Sequence, residues 1–134
     1  MIYSHDNIIL INKDRIKEKN KLNNCIKNIE FSKPQSLESL VQYQDGQVVS
    51  RTFSQGKALS LTLFAFDKGE QISSHASKGD AMVQMLDGEA KITIGDQDFD
   101  AKAGDVIVMP ANVPHALLAT TRFKMVLNVI FKLD

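Results

Sequence analysis

The chain has 134 residues, 16 Lys+Arg against 16 Asp+Glu, and a single cysteine. That length makes one domain with a real core and leaves no room for a separate catalytic domain. A net charge of zero argues against nucleic acid or an anionic membrane as partner.

Cys25 alone excludes an intramolecular disulfide and suits a reducing compartment, so the cytoplasm is the expected location. No run approaches the ~20 apolar residues of a membrane-spanning helix. Ile8–Ile11 is too short for the core of a secretion signal, and Asp6 rather than a basic stretch precedes it.

Residues 1–33 form an extension of different composition, rich in Asn, Lys and Ile and without Gly or Pro. Its basic residues are interspersed with Asp14, Glu18 and Glu30, the pattern of a solvated face. His5 is expected to face solvent. Ile8–Ile11 reads as a short strand. Lys13–Ile29 reads as a helix or a lead-in, with Ile16, Leu22, Ile26 and Ile29 roughly on one face. Its asparagines weaken the helix. Pro34 marks the boundary to a second segment, 34–134.

Ser36–Val41 reads as one helical turn or a short strand. From Asp45-Gly46 onward the pattern is strands and turns. Strands are expected at 47–53, 59–66, 71–75, 81–86, 90–94, 98–101, 105–109, 115–120 and 123–132. Asp87-Gly88, Gly95-Asp96 and Ala103-Gly104 supply turns where glycine provides positive φ. Many short strands with gaps too short for crossover helices imply an all-β antiparallel sandwich or barrel.

Alternation then assigns faces. If His75 points inward, Ser73 and Gln71 follow. If Ala81 points inward, Val83 and Met85 follow. If His115 points inward, Leu117 and Ala119 follow. The expected lining is mostly apolar with a few polar groups, the make-up of a small-molecule pocket. The phenylalanines Phe53, Phe64, Phe66, Phe99, Phe123 and Phe131 read as core. Met82, Met85, Leu86, Met109, Leu117 and Leu118 read as core or dimer interface.

Two stretches carry a family resemblance. Gly69, five residues, His75 and then Gly88 resemble the first motif of the cupins. Gly104-Asp105, a hydrophobic run, Pro110, Pro114 and His115 resemble the second. The resemblance covers about residues 45–132. It implies a double-stranded β-helix, or jelly-roll barrel, often paired as a homodimer. It also implies a divalent metal held by His-x-His, a Glu and a last His. Here the outer ligand positions are His75 and His115. Ser77 stands at the second His position, Ala81 at the Glu position, Asn112 at a usual Gly and Ala119 at a usual Asn.

Three functions follow. The first is a small-molecule binder with an incomplete metal site, its pocket lined by His75, His115, Gln71, Ser77, Ala81, Val83, Met85, Leu117 and Ala119. The second is a metal-dependent oxygenase or isomerase. It would use His75 and His115, with Gln71 as third ligand, on Zn, Fe, Mn, Ni or Cu. The third is an interaction protein whose Ile8–Ile11 adds a strand to a partner's sheet. No residue is assigned a catalytic role. A metal-free site would use the histidines to orient a carboxylate, enol or hydroxyl.

Overall fold

The computed structural model describes residues 25–133. The expected strand Ile8–Ile11, His5 and most of the expected helix Lys13–Ile29 lie outside those residues. Within them, residues 25–29 form bends rather than a helix, and Asn28 sits at φ 62, a left-handed conformation that breaks one. A single 3-10 turn follows at Leu37–Leu40.

Nine strands come next: β1 (Val48–Gln55), β2 (Leu59–Phe66), β3 (Gln71–His75), β4 (Asp80–Asp87), β5 (Glu89–Ile94), β6 (Gln97–Lys102), β7 (Val106–Met109), β8 (His115–Ala119) and β9 (Phe123–Ile130). They pair into a five-stranded sheet, β1-β2-β9-β4-β7, and a four-stranded sheet, β3-β8-β5-β6. All the pairings are antiparallel. This is the two-sheet jelly-roll barrel.

The inner faces of the two sheets meet in one apolar cluster. Phe66, Val83, Met85, Ile92, Met109, Phe123 and Met125 are all fully or almost fully buried there. Phe66 and Phe123 stack with ring centroids 4.4 Å apart. Each such side chain contributes about 1.5–3 kcal/mol on burial, so this layer supplies most of the driving force. Phe99 departs from expectation: on the edge strand β6 it shares the face of Ile92 and Ala101 but remains exposed.

The outer face of the five-stranded sheet carries a second apolar cluster, in which Phe53, Leu63, Ala65 and Val126 are buried beneath Val41, Leu37, Leu40 and Ile29. The lead-in is therefore packed onto the barrel. Lys27 N–H donates to the Phe53 carbonyl at 2.8 Å. The Arg51 guanidinium donates to the Leu40 carbonyl at 2.8 Å. The Lys124 ammonium, largely buried, donates to the Glu38 carbonyl at 2.7 Å and lies 5.0 Å from the centre of the Tyr43 ring, a cation–π contact. Tyr43 Oη donates to Asp87 at 2.5 Å.

Gly88 shows why the β4–β5 turn needs glycine. Its φ is 72, and a Cβ there would collide with the Arg122 carbonyl of the turn between β8 and β9. Neither the backbone conformation nor the space tolerates a side chain. Gly88→Ala is therefore expected to destabilise the fold by about 3 kcal/mol or more. Urea unfolding followed by circular dichroism measures this, and an unchanged midpoint would contradict the close approach.

Candidate functional site

The candidate site lies where β3 ends and β8 begins. His75 is directly opposite His115 in the antiparallel ladder, so both side chains stand on one face. Their ring centroids are 4.5 Å apart with planes at 63°, an edge-on contact. His115 is 4% exposed, whereas His75 is exposed to solvent. The pair is a deep imidazole and a rim imidazole at one mouth of the barrel.

Both rings are held in the same way. His75 Nδ1 lies 3.0 Å from the Ser73 carbonyl, and His115 Nδ1 lies 3.2 Å from the Val113 carbonyl. A carbonyl oxygen only accepts, so each Nδ1 carries the proton and donates. In the neutral ring that leaves each Nε2 as a bare acceptor. Burial lowers the pKa of His115 below its ordinary 6.5, the Val113 carbonyl opposes this, and the nearby His75 adds to the lowering.

The surrounding turns clasp the mouth. Asn112 N–H donates to the Ser77 carbonyl at 2.7 Å, and Ala111 N–H donates to Asp80 Oδ1 at 2.8 Å. These two bonds tie the β7–β8 turn to the segment just after His75. Asn112 has φ 65, a conformation asparagine tolerates better than most residues, which explains how it replaces the glycine usual at that position. Gly79 sits so close to β9 that an added Cβ would lie 2.6 Å from the Ile130 carbonyl.

The other expected site residues separate into two groups. Ala81, Val83, Met85, Leu117 and Ala119 face the interior, where they are buried in the main apolar cluster with Phe66 and Phe123. Ser77 is half-buried in the turn that follows His75, and its Oγ accepts from Gly79 N–H at 3.1 Å.

Gln71 is a correction. The ladder pairs Ile72 with Leu117 and His75 with His115, so three residue steps on β3 match two on β8. This β-bulge reverses the alternation. Ile72 packs against the core, while Gln71 pairs with Leu118 and is exposed, on the face opposite the imidazoles. Ser73 is likewise exposed. What Ser73 contributes is its carbonyl.

The donor set does not fit a cupin-type metal centre. Ser77 and Ala81 replace two usual ligands, Gln71 faces away, and the Asp80 carboxylate is engaged by a backbone N–H. Among the described residues no group of three or more His, Cys, Asp and Glu is placed to hold an ion.

Sequence reasoning also missed a groove of about 420 Å³ on the outer face of the five-stranded sheet, between the lead-in residues Ile26 and Phe31 and the strand residues Leu61, Gln84 and Val126. The mix of Ile, Phe and Asn before Pro34 carries no period that would have revealed this wall.

A two-sheet antiparallel jelly roll with an imidazole pair at one mouth defines a class, the double-stranded β-helix proteins. The cupin-domain family model matches residues 62–131. The chain belongs to the cupin family.

Among solved structures it is similar to a conserved protein of unknown function from Streptococcus pyogenes, with 43% identity over 81% of this chain and 96% of that one, and a TM-score of 0.80. It is also similar to a cupin superfamily protein from Desulfitobacterium hafniense, with 34% identity over 80% and 98% of the two chains and a TM-score of 0.76. A third is a cupin 2 conserved barrel domain protein from Leptotrichia buccalis, with 39% identity over 69% of this chain and 45% of that one, and a TM-score of 0.68. No functionally curated protein matches the chain. Among the described residues no helix is long and apolar enough to cross a membrane.

The lowered pKa of His115 has a consequence for stability. Between its folded value and 6.5 the unfolded chain binds more protons than the folded one, so stability rises with pH. This contribution is present above 6.5 and is lost as pH falls through the folded value. Unfolding midpoints measured from pH 7.5 down to 5 are expected to fall, and to fall less steeply in His115→Gln. Equal slopes in the two proteins would contradict the burial of this imidazole.

Proposed function

We propose that the protein binds a small organic molecule at the His75–His115 pair and works without a resident metal. One observation carries this reading: each ring's Nδ1–H is committed to a backbone carbonyl, which leaves two adjacent Nε2 acceptors for a ligand. Two such acceptors, one exposed and one buried, suit a ligand with hydroxyl, enol or protonated carboxyl donors. Leu117, Ala119, Ala81, Val83 and Met85 are packed in the barrel core, so the ligand is held at the mouth by the imidazole edges rather than deep in the barrel. The cytoplasmic location inferred from the lone cysteine agrees with a role on a soluble metabolite.

The second reading is a small metal-dependent oxygenase or isomerase. The same two bare Nε2 atoms favour it, since a ligating imidazole ordinarily has its other nitrogen bonded to a carbonyl or carboxylate. Against it stands the incomplete donor set around the pair among the described residues.

A thermal-shift screen of small polyols, phenols and carboxylic acids would find the ligand class, and calorimetry would test the site. His75→Ala removes an exposed side chain and His115→Gln keeps a polar group in a buried one, so both variants are expected to fold. Each removes about one hydrogen bond, worth about tenfold in affinity. If both variants bind a confirmed ligand as the parent does, the assignment is wrong. Near-stoichiometric Zn, Fe, Mn, Ni or Cu in untagged protein, lost in the double variant, would select the metal reading instead.

A further inference from the structure

One wall of the groove on the outer sheet face is a segment that the sheet itself pins. Phe53 is the extra residue of a bulge in β1, since Thr52 stands opposite Thr62 and Ser54 opposite Leu61. The bulged stretch gives its carbonyls to the lead-in. Lys27 N–H donates to the Phe53 carbonyl at 2.8 Å, and Asn28 Nδ2 donates to the Thr52 carbonyl at 2.8 Å. Arg51 Nε in turn donates to the Asn28 carbonyl at 2.7 Å. Two left-handed residues, Asn28 at φ 62 and Ser32 at φ 58, then bend the chain on either side of Ile29, Glu30 and Phe31.

This wall stands over the sheet without closing on it. Ile26 and Phe31 both line the groove, yet stay 43% and 42% exposed. The floor is Leu61, Val126 and Gln84, with Val126 directly opposite Gln84 in the ladder. Its volume of about 420 Å³ falls within the ~300–1,000 Å³ of small-molecule pockets. The backbone bonds at residues 27 and 28 fix the wall before any ligand arrives, so the space is preorganised.

The polar groups set the charge of what fits. Among the described residues lining the groove, Glu30 is the one that is charged. Phe31 follows it in the chain, so a carboxylate and an aromatic ring flank one mouth, the combination that holds an ammonium group. Lys33 Nζ lies 3.1 Å from the Glu30 carboxylate, but the two side chains are 61% and 67% exposed, and such a pair is weak and readily exchanged. In the row beside the floor, Asn128 stands opposite Leu61 with its Oδ1 buried and lacking a hydrogen-bond partner among the described residues. Both groups call for a donor, and an anion would meet a carboxylate.

We propose that this groove is a second ligand site and that it takes a small amine carrying an apolar ring or short chain. The ammonium sits at Glu30 and Phe31, and the apolar body lies on Phe53, Leu61 and Val126. The Gln84 amide both donates and accepts, so it serves a polar substituent on that body. This inference is independent of the ligand reading for the histidines. The groove lies on the outside of the barrel and the imidazoles stand at its mouth.

Methyl NMR of the full chain at pH 7 tests it, with three probes of one shape and different charge: 2-phenylethylamine, 2-phenylethanol and 3-phenylpropionate. The amine is expected to shift the methyls of Ile26, Leu61 and Val126, and to bind about tenfold more tightly than the propionate, the scale of one charge-assisted hydrogen bond. Glu30→Gln changes an exposed side chain, so it should fold as the parent does and abolish that preference. Groove methyls that none of the probes shifts would overturn the proposal, as would amine shifts confined to the surroundings of His115. Equal affinity for amine and propionate, or a preference that survives in Glu30→Gln, would overturn it too. Contacts in the free protein between the groove methyls and residues 1–24 or a second copy would do the same, since the groove would then be filled by the chain itself.

Discussion

The arrangement at the barrel mouth depends on one irregularity, the β-bulge between Ile72 and His75. Without it, strict alternation would put His75 on the same face as Ser73 and Gln71, and opposite to Ile72. With it, Ile72 keeps its place against the core and His75 still meets His115. One extra residue thus satisfies two demands that a regular strand could not meet together. It also leaves the Ser73 carbonyl within reach of His75 Nδ1, so the kink that aims the ring also fixes its tautomer.

Around the bulge the mouth is held by the backbone. The Asn112–Ser77 and Ala111–Asp80 hydrogen bonds join the turn before His115 to the turn after His75. The two sequence motifs are far apart in the chain, and these bonds make them one structural unit. The rings therefore rest on a scaffold whose cost was met in forming the sheets, which is how a site stays preorganised for a ligand. Replacement of the usual second His by Ser77 and of the usual Glu by Ala81 leaves this scaffold intact. Both substitutions remove metal donors without disturbing the sheet pairing.

The strands were legible because each is bounded by a turn whose residues state their geometry. Leu59–Phe66 and Gln71–His75 coincide with expectation at both ends, and the others differ by one or two residues. The inward parity of Ala81, Val83 and Met85, and of Leu117 and Ala119, was legible for the same reason, since regular strands obey period two. Gln71 was misread because a bulge needs no special residue type. The Ser73-Ser74 pair that accommodates it looks like ordinary strand. The wrap of residues 27–43 over the outer sheet face was also hidden. It is held by long-range contacts, such as Lys124 to Glu38 and Tyr43 to Asp87, that leave no local period. The exposure of Met82, Val106 and Val108 follows from which strand ends up at the sheet edge, a property of topology rather than of local sequence.

The account rests on the two Nε2 atoms being unprotonated and facing the ligand. Long-range ¹H–¹⁵N NMR of the imidazoles, in the free protein near pH 7.5, reads this directly. The account predicts that both His75 and His115 are Nδ1–H tautomers with bare Nε2 nitrogens. Nε2–H tautomers at both histidines would contradict it, because the pair would then offer donors where the proposed ligand needs acceptors.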